Sequence, residues 1–436
     1  MDAANARLDP VPSTLRIEAI DTLRGFALLG IFVMNITGMA FPMAAYFNPM
    51  VYGGSTGANF GAWVFAHLFF ELKMMGIFSM LFGAGVILMT ERAQAAGRSF
   101  GGIYYRRTLW LLVFGLIHAY LVWHGDILVT YALCGFLLYL FRRKSSQTLI
   151  ISALALLVFG ALLSAGGGFA QSALRDGVAD IQSQVEAGEE MTPRWQALVE
   201  QWEDLRHGFA PSPEETAETI AAMRGSAPEV LAANIRETIG MHTEALPFFL
   251  IWRTMALMLL GMGLMKAGVF TAQRSPGFYR NWIIFGFGLG LPVIAFGIRE
   301  WSRHDYDFIA SFLYVGHYNY FASVLVSVGF VGLVIRMCQT GRLAGLRARL
   351  AAVGRMALSN YLLQSLLGVL IFNGYGFGLF GAVGRFNLWW FILGIWALQL
   401  FISPWWLARY HFGPAEWLWR TLTYARAQPM RIAGAL

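Results

Sequence analysis

Long apolar runs recur from near the start of the chain to its end, and each approaches the ~20 residues needed to cross a lipid bilayer. Charged residues make up 13% of the 436 residues, whereas a soluble domain carries about 25%. A water-soluble fold of this length could not bury so much apolar surface. The sequence therefore predicts an all-α fold, a polytopic transmembrane helix bundle of about ten spans at 23–41, 62–91, 108–123, 126–141, 147–165, 247–265, 281–298, 308–335, 356–373 and 387–408.

Arginine and lysine are distributed unevenly between the loops. With the N-terminus inside, the short inner loops carry fifteen of them and the short outer loops carry three, which are Arg299, Arg303 and Arg385. Membrane proteins retain positive charge on their cytoplasmic side. We therefore expect a multi-pass protein of the bacterial inner membrane with both termini cytoplasmic. The net charge of +7 reflects this topology and does not indicate nucleic-acid binding.

One long polar stretch, 166–246, divides the apolar runs into two groups. On the predicted orientation it lies outside the cytoplasm. The predicted organisation is a cytoplasmic N-terminal segment at 1–22, a bundle of about five spans at 23–165, an extracytoplasmic helical insertion at 166–246, a second bundle of about five spans at 247–409 and a cytoplasmic tail at 410–436.

The insertion contains three sets of helix-start signals. Thr192 precedes a proline, and Ser212 and Ser226 each open a capping box. We expect three short helices, of which the first is amphipathic and lies on the membrane surface or covers the bundle. The alternative is that 166–246 serves only as a spacer.

Ionisable or strongly polar residues inside membrane spans are costly and mark functional sites more often than in soluble cores. One set falls toward the predicted outer side of the bundle. Its members are Asn35, Glu71, Lys73, His118, His124, Asp126, Arg253, His317, Tyr318 and Asn319.

Four of these residues are candidates for acid–base catalysis. Histidine as a residue type titrates near neutrality, so His118, His124 or His317 could supply a general base, and Asp126 could orient it. The alternatives are that Glu71 and Lys73 neutralise one another, that His124 and Asp126 only terminate a hairpin, and that His118 only forms a hydrogen bond with a neighbouring helix. Their spacing matches no metal-ligand motif, so we predict no metal site.

A second set falls toward the predicted inner side. It has two interpretations: charged anchors of the cytoplasmic face, or a site for a phosphate-bearing ligand. No phosphate-binding glycine loop precedes a helix, which argues against a nucleotide-hydrolysing motor. The set comprises Asp21, Arg24, Arg106, Arg107, Arg355, Asn360, Gln364, Glu416 and Arg420.

Three motifs together resemble a known family. They are the stretch from Arg16 to Asn35 (RIEAIDTLRGFALLGIFVMN), the pair FGLIH and GDIL at 114–118 and 125–128, and GPAEWLWR at 413–420. In this order they resemble the YeiB-like family of bacterial inner-membrane proteins, whose C-terminal half is a conserved domain of unknown function. The resemblance spans nearly the whole chain.

The D-x-L-R-G opening at Asp21, Leu23, Arg24 and Gly25 also resembles the first helix of transmembrane acyltransferases related to heparan-α-glucosaminide N-acetyltransferase. That resemblance implies a cytosolic acetyl-CoA donor and a histidine after the first helix that acts on an acceptor at the far face. The outer loop 42–61 contains no histidine, so His118, His124 or His317 would have to take this role here.

We therefore predict an integral-membrane acyltransferase that moves an acyl group from a cytosolic donor to an envelope glycan or lipid. No cofactor is expected to stay bound, and acyl-CoA is the expected co-substrate. The expected partners are membrane lipids and the acceptor, and a homodimer is compatible with the sequence. The alternatives are a transporter for a small solute or lipid and a non-catalytic scaffold that binds partners through 166–246.

Overall fold

The computed structural model describes residues 17–97 and 99–432. Parts of three predictions lie outside this range: residues 1–16 of the N-terminal segment, Arg98 of the inner loops and the last four residues of the tail. The structure is 79% helical, and its described part contains no β-strand, which confirms the predicted all-α class.

Six helices form the first part of the chain. Acidic side chains, Glu18 and Asp21, lie in the first turn of α1, where the helix dipole favours negative charge. The helices are α1 (Glu18–Ala40), α2 (Ala44–Phe47), α3 (Gly57–Phe69), α4 (Lys73–Ala95), α5 (Gly101–Leu121) and α6 (Leu128–Phe141).

The middle of the chain consists of one long helix, three short helices and a fifth helix. A π-helical segment, Met241–Leu250, joins the third short helix to the fifth helix. These are α7 (Ser146–Glu186), α8 (Pro193–Phe209), α9 (Pro213–Met223), α10 (Ala227–Gly240) and α11 (Ile251–Lys266). The remaining helices are α12 (Pro276–Arg303), α13 (Phe308–Ala310), α14 (Gly316–Gln339), α15 (Ala344–Arg355), α16 (Ala357–Phe372), α17 (Leu388–Leu407) and α18 (Pro414–Tyr424).

Seven of the described helical stretches are long and apolar enough to cross a membrane, or eight if α15 and α16, bent by 83°, count as one span. The ten predicted runs exceed the count of eight by two, and the two additional runs correspond to α5 and α6. The first of these carries Arg106, Arg107 and His118, and the second has 14 residues. Both belong to one hairpin, so leaving out the pair does not change which sides the two termini occupy.

The interior of the bundle is formed by α1 and by the stretches Gly57–Ala95 and Ala227–Lys266, which contain α4 and α11. In their most apolar 18 residues, 78%, 61% and 72% of the residues are buried. The corresponding windows of α7, α12 and α17 are 28% buried and expose large apolar side chains such as Phe159, Phe285 and Phe401. An apolar exterior around a better-buried centre is the arrangement expected of a bundle in lipid.

Glycines allow the central helices to cross closely. A Cβ at Gly83 of α4 would collide with the backbone of Met258, and a Cβ at Gly261 of α11 would collide with that of Met80. Gly25 of the D-x-L-R-G motif approaches Gly354 of α15 in the same reciprocal way. Small residues at crossings are the usual means of close packing between membrane helices.

The three short helices predicted within 166–246 are present. The Thr192 hydroxyl accepts a hydrogen bond from Trp195 N at 3.2 Å, and Ser212 and Glu215 form a reciprocal capping box. Of the two positions predicted for the amphipathic helix α8, the structure favours packing on the bundle, because Trp202 and Phe209 stack on Phe308. The preceding helix α7 continues from the bundle to Glu186, well past the predicted boundary at 165.

Candidate functional site

A cavity of about 250 Å³ lies among α1, α4, α5, α6, α16 and α18. The polarity of its walls changes along α1 and α5: polar side chains line one end, and apolar side chains line the middle. Leu28, Ile31, Phe78, Leu81 and Leu111 form the apolar part. This volume is close to the lower end of the range for small-molecule sites.

Four arginines line one end of this cavity, which we call the arginine end: Arg24, Arg107, Arg355 and Arg420. The Arg24 guanidinium donates to Asp21 Oδ1 at 2.7 Å. That of Arg107 lies 3.6 Å from the centre of the Trp419 ring, and Trp419 Nε1 in turn donates to the Arg107 carbonyl at 2.9 Å. Stacked, hydrogen-bonded guanidinium groups are held in place to receive phosphate or carboxylate oxygens.

The one acidic side chain among the residues that line the cavity, Glu416, is engaged with the start of α16. Its carboxylate accepts hydrogen bonds from Leu358 N at 2.6 Å and from Ser359 N and Oγ at 3.0 and 2.5 Å. Burial raises the pKa of Glu416, and the hydrogen bonds from Ser359 and Leu358 oppose this shift. Asp21 pairs with Arg24, and Glu416 is committed to the start of α16, so four arginines face two carboxyl groups and the arginine end keeps an excess of positive charge that suits an anion.

A buried histidine–aspartate pair lies beside the opposite end of the cavity. His118 Nδ1 is 2.7 Å from Asp126 Oδ2, and the two side chains are 1% and 0% exposed. The second carboxylate oxygen accepts a hydrogen bond from Val129 N at 2.8 Å at the start of α6. The Asp126 carboxylate is therefore fixed by the hairpin that carries both residues.

This pair is adjacent to residues that line the cavity. The His118 and Tyr361 rings are 5.1 Å apart, and Tyr361 lines the cavity together with Ile127 and Leu128, the two residues after Asp126. His118 Nε2 is buried and has no hydrogen-bonding partner among residues 17–97 and 99–432. With Asp126 accepting the Nδ1 proton, Nε2 carries a lone pair, as a general base requires.

Helix α10 of the insertion covers the hairpin tip. Asn234 Nδ2 donates to the Ala119 and Tyr120 carbonyls at 2.9 and 3.2 Å, and its Oδ1 accepts from His124 N at 2.7 Å. Thr238 Oγ1 adds a bond of 2.9 Å to the Ala119 carbonyl. These two buried residues were not predicted, although their spacing of four on a capped helix places them on one face.

A second buried polar group surrounds the break between α3 and α4. His67 Nδ1 contacts the Glu71 carboxylate, and Lys73 Nζ donates to the His67 carbonyl at 2.5 Å and to Asn319 Oδ1 at 2.6 Å. His67 was not among the predicted site residues. Its position four residues before Glu71, on the same helical face, was the available signal.

Arg253 of α11 lies close to this group and binds residues of α14. It donates to the Tyr320 carbonyl at 2.7 Å and to Ser323 Oγ at 2.8 Å. A small cavity of about 20 Å³ lies next to this group. Its polar lining consists of Thr37, Tyr46, His67, Glu71 and Arg385.

Several predicted site residues lie away from both cavities. His317 contacts the Ala161 carbonyl of α7 at 3.0 Å, and Tyr318 packs against Phe296. Arg106 is exposed, in contrast to its neighbour Arg107.

Asn360 and Gln364 join α16 to α17. They donate to Ser403 Oγ at 3.0 Å and to Gln399 Oε1 at 2.8 Å. Asn35 is half-buried and continues the α1 face that carries Leu28 and Ile31.

This arrangement defines the class of protein: a polytopic membrane protein whose helices enclose a ligand-sized cavity between an arginine cluster and a buried histidine–aspartate pair. The chain belongs to the YeiB-like family. It is 31% identical over 445 residues to "Uncharacterized protein YxaH" of Bacillus subtilis (strain 168), across 97% of this chain and 98% of that protein. It is 30% identical over 431 residues to "Uncharacterized protein YeiB" of Escherichia coli (strain K12), across 95% and 98%.

Residues 264–426 match the model of the family described as protein of unknown function (DUF418). These comparisons confirm the predicted family. The further resemblance to transmembrane acyltransferases stays a prediction, as do the inner-membrane location and the orientation of the termini.

Proposed function

We propose that this protein is an inner-membrane acyltransferase that takes an acyl group from a phosphorylated cytosolic thioester and transfers it to a hydroxyl of an envelope glycan or lipid. The observation that carries the proposal is that one cavity joins the arginine end to the surroundings of the His118–Asp126 pair. On the positive-inside orientation, the arginine end opens to the cytosol.

The donor's charge and shape match the cavity. Phosphate groups would bind at the arginine end, and the apolar walls formed by residues such as Leu28, Ile31 and Phe78 would hold an uncharged acyl-bearing arm. An acyl thioester of coenzyme A combines these two parts. Its carbonyl carbon would then lie toward Tyr361, which contacts the His118 ring.

The chemistry moves one proton in two transfers, first to His118 and then from it. His118 Nε2 takes the proton of the acceptor hydroxyl while the oxygen attacks the thioester carbonyl, and the C–O bond forms. The C–S bond breaks, and the thiolate leaves with the proton returned by His118. Asp126 stabilises the imidazolium that forms between these two events, because its carboxylate lies 2.7 Å from Nδ1.

The experiment uses the full-length protein in lipid nanodiscs, radiolabelled acetyl-CoA and an envelope lipid and glycan extract. We expect a labelled acceptor with the wild type and none with H118A, while H317A, which alters a histidine away from the cavity, keeps its activity. Equal labelling by H118A would remove the assignment. Solute flux through proteoliposomes without a labelled product would favour the transporter. If the protein shows neither activity and deletion of 190–225 abolishes its capture of a partner, the scaffold is favoured.

A further inference from the structure

The break between α3 and α4 has the features of a second functional site. The chain is helical on both sides, yet Leu72 adopts a left-handed conformation with a φ of 61°, which is strained for a branched side chain. Strain of this kind persists where the surroundings hold it and is concentrated at functional sites.

The break lies at mid-height in the bundle. The Lys73 carbonyl accepts a hydrogen bond of 3.0 Å from Ser327, which is halfway along α14, and Met74 packs against Gly30, which is halfway along α1. Since α1 and α14 are both long enough to cross a membrane, a bilayer spanned by these helices would have Lys73 near its centre. Ionisable groups at that depth are expensive and are usually part of an ion or proton pathway.

The Lys73 ammonium is completely buried and occupies the C-terminal end of α3. Through its bond to the His67 carbonyl, it binds where free backbone carbonyls and the helix dipole attract a cation. In transporters with broken helices, such half-helix ends coordinate the coupling ion. Here the Lys73 side chain supplies the cation, so what can change at this site is the protonation of its side chains.

The small cavity sets the size of what can reach this group. At about 20 Å³, it has room for one water molecule and none for a larger solute. Its polar lining mixes an acid, a histidine, a phenol, a hydroxyl and a guanidinium, which suits a water molecule that exchanges protons. Tyr46 and Arg385 belong to the segments beyond the C-terminal end of α1, so the cavity extends from mid-height toward that end of the bundle.

We propose that the α3–α4 break is a proton-binding site, in which the His67–Glu71 pair takes up a proton through the water-sized cavity and Lys73 couples that charge to the geometry of the break. A proton that arrives from the bulk as hydronium in the cavity forms an N–H bond with His67 Nε2, because Nδ1 already faces Glu71. One O–H bond of the hydronium breaks, and a neutral water molecule remains. The charged and titratable groups that face the pair are Tyr46, Lys73, Arg253 and Arg385. The proposal does not depend on acyl transfer.

Trp63 provides a direct reporter. Its ring stacks on that of His67 at 5.1 Å, and a protonated imidazole in contact with an indole quenches its fluorescence. We would titrate the intrinsic fluorescence of the protein in nanodiscs between about pH 4 and pH 9, around the ordinary pKa of histidine. We expect a quenching step on acidification that is lost in W63F, which identifies the reporter among the 15 tryptophans, and in H67Q.

The charged neighbours should move the midpoint in opposite directions. Loss of the carboxylate in E71Q should lower it by about one pH unit or more, and loss of the ammonium in K73M should raise it. K266M is the matched control, because Lys266 also donates to carbonyls at a helix end, those of Arg142 and Lys144, but near the surface. H118A should leave the step unchanged.

The proposal is overturned if the folded wild type shows no step that depends on Trp63, or if the step persists in H67Q. If H67Q does not fold, E71Q decides, since it keeps the imidazole in place: an unmoved midpoint would show that the pair does not bind the proton. A midpoint that K266M moves as far as K73M would also contradict the assignment.

Discussion

The Asp126 carboxylate holds His118 through Nδ1 at 2.7 Å and is itself fixed by a hydrogen bond from Val129 N, so the histidine keeps one orientation inside the bundle. The two residues are eight positions apart and meet because a tight turn joins α5 to α6. This leaves Nε2 as the ring nitrogen available for chemistry.

Replacement of His118 should abolish acyl transfer while the protein remains folded. A general base contributes about 10²–10⁴-fold to a rate, so H118A should lose at least about 100-fold in transfer of label from acetyl-CoA. D126N should also lose activity, because an amide can leave the imidazole in the wrong tautomer. A size-exclusion profile equal to that of the wild type would show that folding is intact.

The arginine end should determine donor affinity. Loss of a charge-assisted contact costs about 1.5–3 kcal/mol, so R107Q should weaken binding of acetyl-CoA by about tenfold or more, measured by calorimetry in nanodiscs. R106Q changes the neighbouring, exposed arginine on the same helix and should bind as the wild type does. Equal affinities for the two variants would place the donor elsewhere.

Asn234 should stabilise the hairpin tip. Its removal in N234A leaves the His124 N–H and the Tyr120 carbonyl without their partner, which costs about 1–3 kcal/mol per buried group. A thermal denaturation curve should show this as a lower midpoint, accompanied by lower acyl transfer. R236A alters an exposed residue on the other face of α10 and should leave both measurements near those of the wild type.

Close helix crossings should tolerate no added side chain. A Cβ at Gly286 of α12 would meet the backbone of Gly329, whereas Gly288 has open space around it. We expect G286V to lower stability by about 1–3 kcal/mol or more through overpacking and G288V to change it little. Unfolding in detergent, followed by circular dichroism, compares the two; a similar loss in both would attribute the effect to helix propensity instead.

Acid should loosen the insertion before the bundle. Hydrogen bonds from Ser212 N, His207 and Arg206 hold the pKa of Glu215 at about 2, below its ordinary value of 4.5. Because the folded pKa is the lower one, this stabilisation is fully present above pH 4.5 and is lost as the pH falls toward 2. Hydrogen exchange of α9 should therefore rise over that window, and less so in E215Q.

A matched variant tests the assignment of this acid effect. Glu214 is the neighbouring carboxyl and takes no part in the capping box. E214Q should therefore show the same dependence of α9 exchange on pH as the wild type. An unchanged profile in E215Q would mean that another group is responsible.

The helices and their starts were predictable because their signals are local. Apolar runs are long enough to cross a membrane, and the capping boxes at Ser212 and Ser226 need only residues three positions apart. The bond between His118 and Asp126 was also within reach of the sequence, since one turn joins them. The family followed from three motifs that each span a few residues.

The residues that line each cavity could not be predicted from the sequence in the same way. Tyr361 reaches His118 from more than two hundred residues away, while Gln364, one turn further along α16, turns instead to Gln399. His317 shares a residue type with His118 but faces α7. These outcomes depend on how each helix is rotated and how closely it crosses its neighbours.

Hydropathy therefore determined that this chain is a helical membrane protein, and local spacing determined where many of its helices begin. Only the tertiary structure decided that Arg24, Arg107 and Arg420 share one cavity and that His67 joins Glu71 beside another. The physical reason is range: hydrogen bonds within a helix and transfer into lipid act on neighbouring residues, whereas a site forms where distant helices pack, at crossings such as that of Gly25 with Gly354.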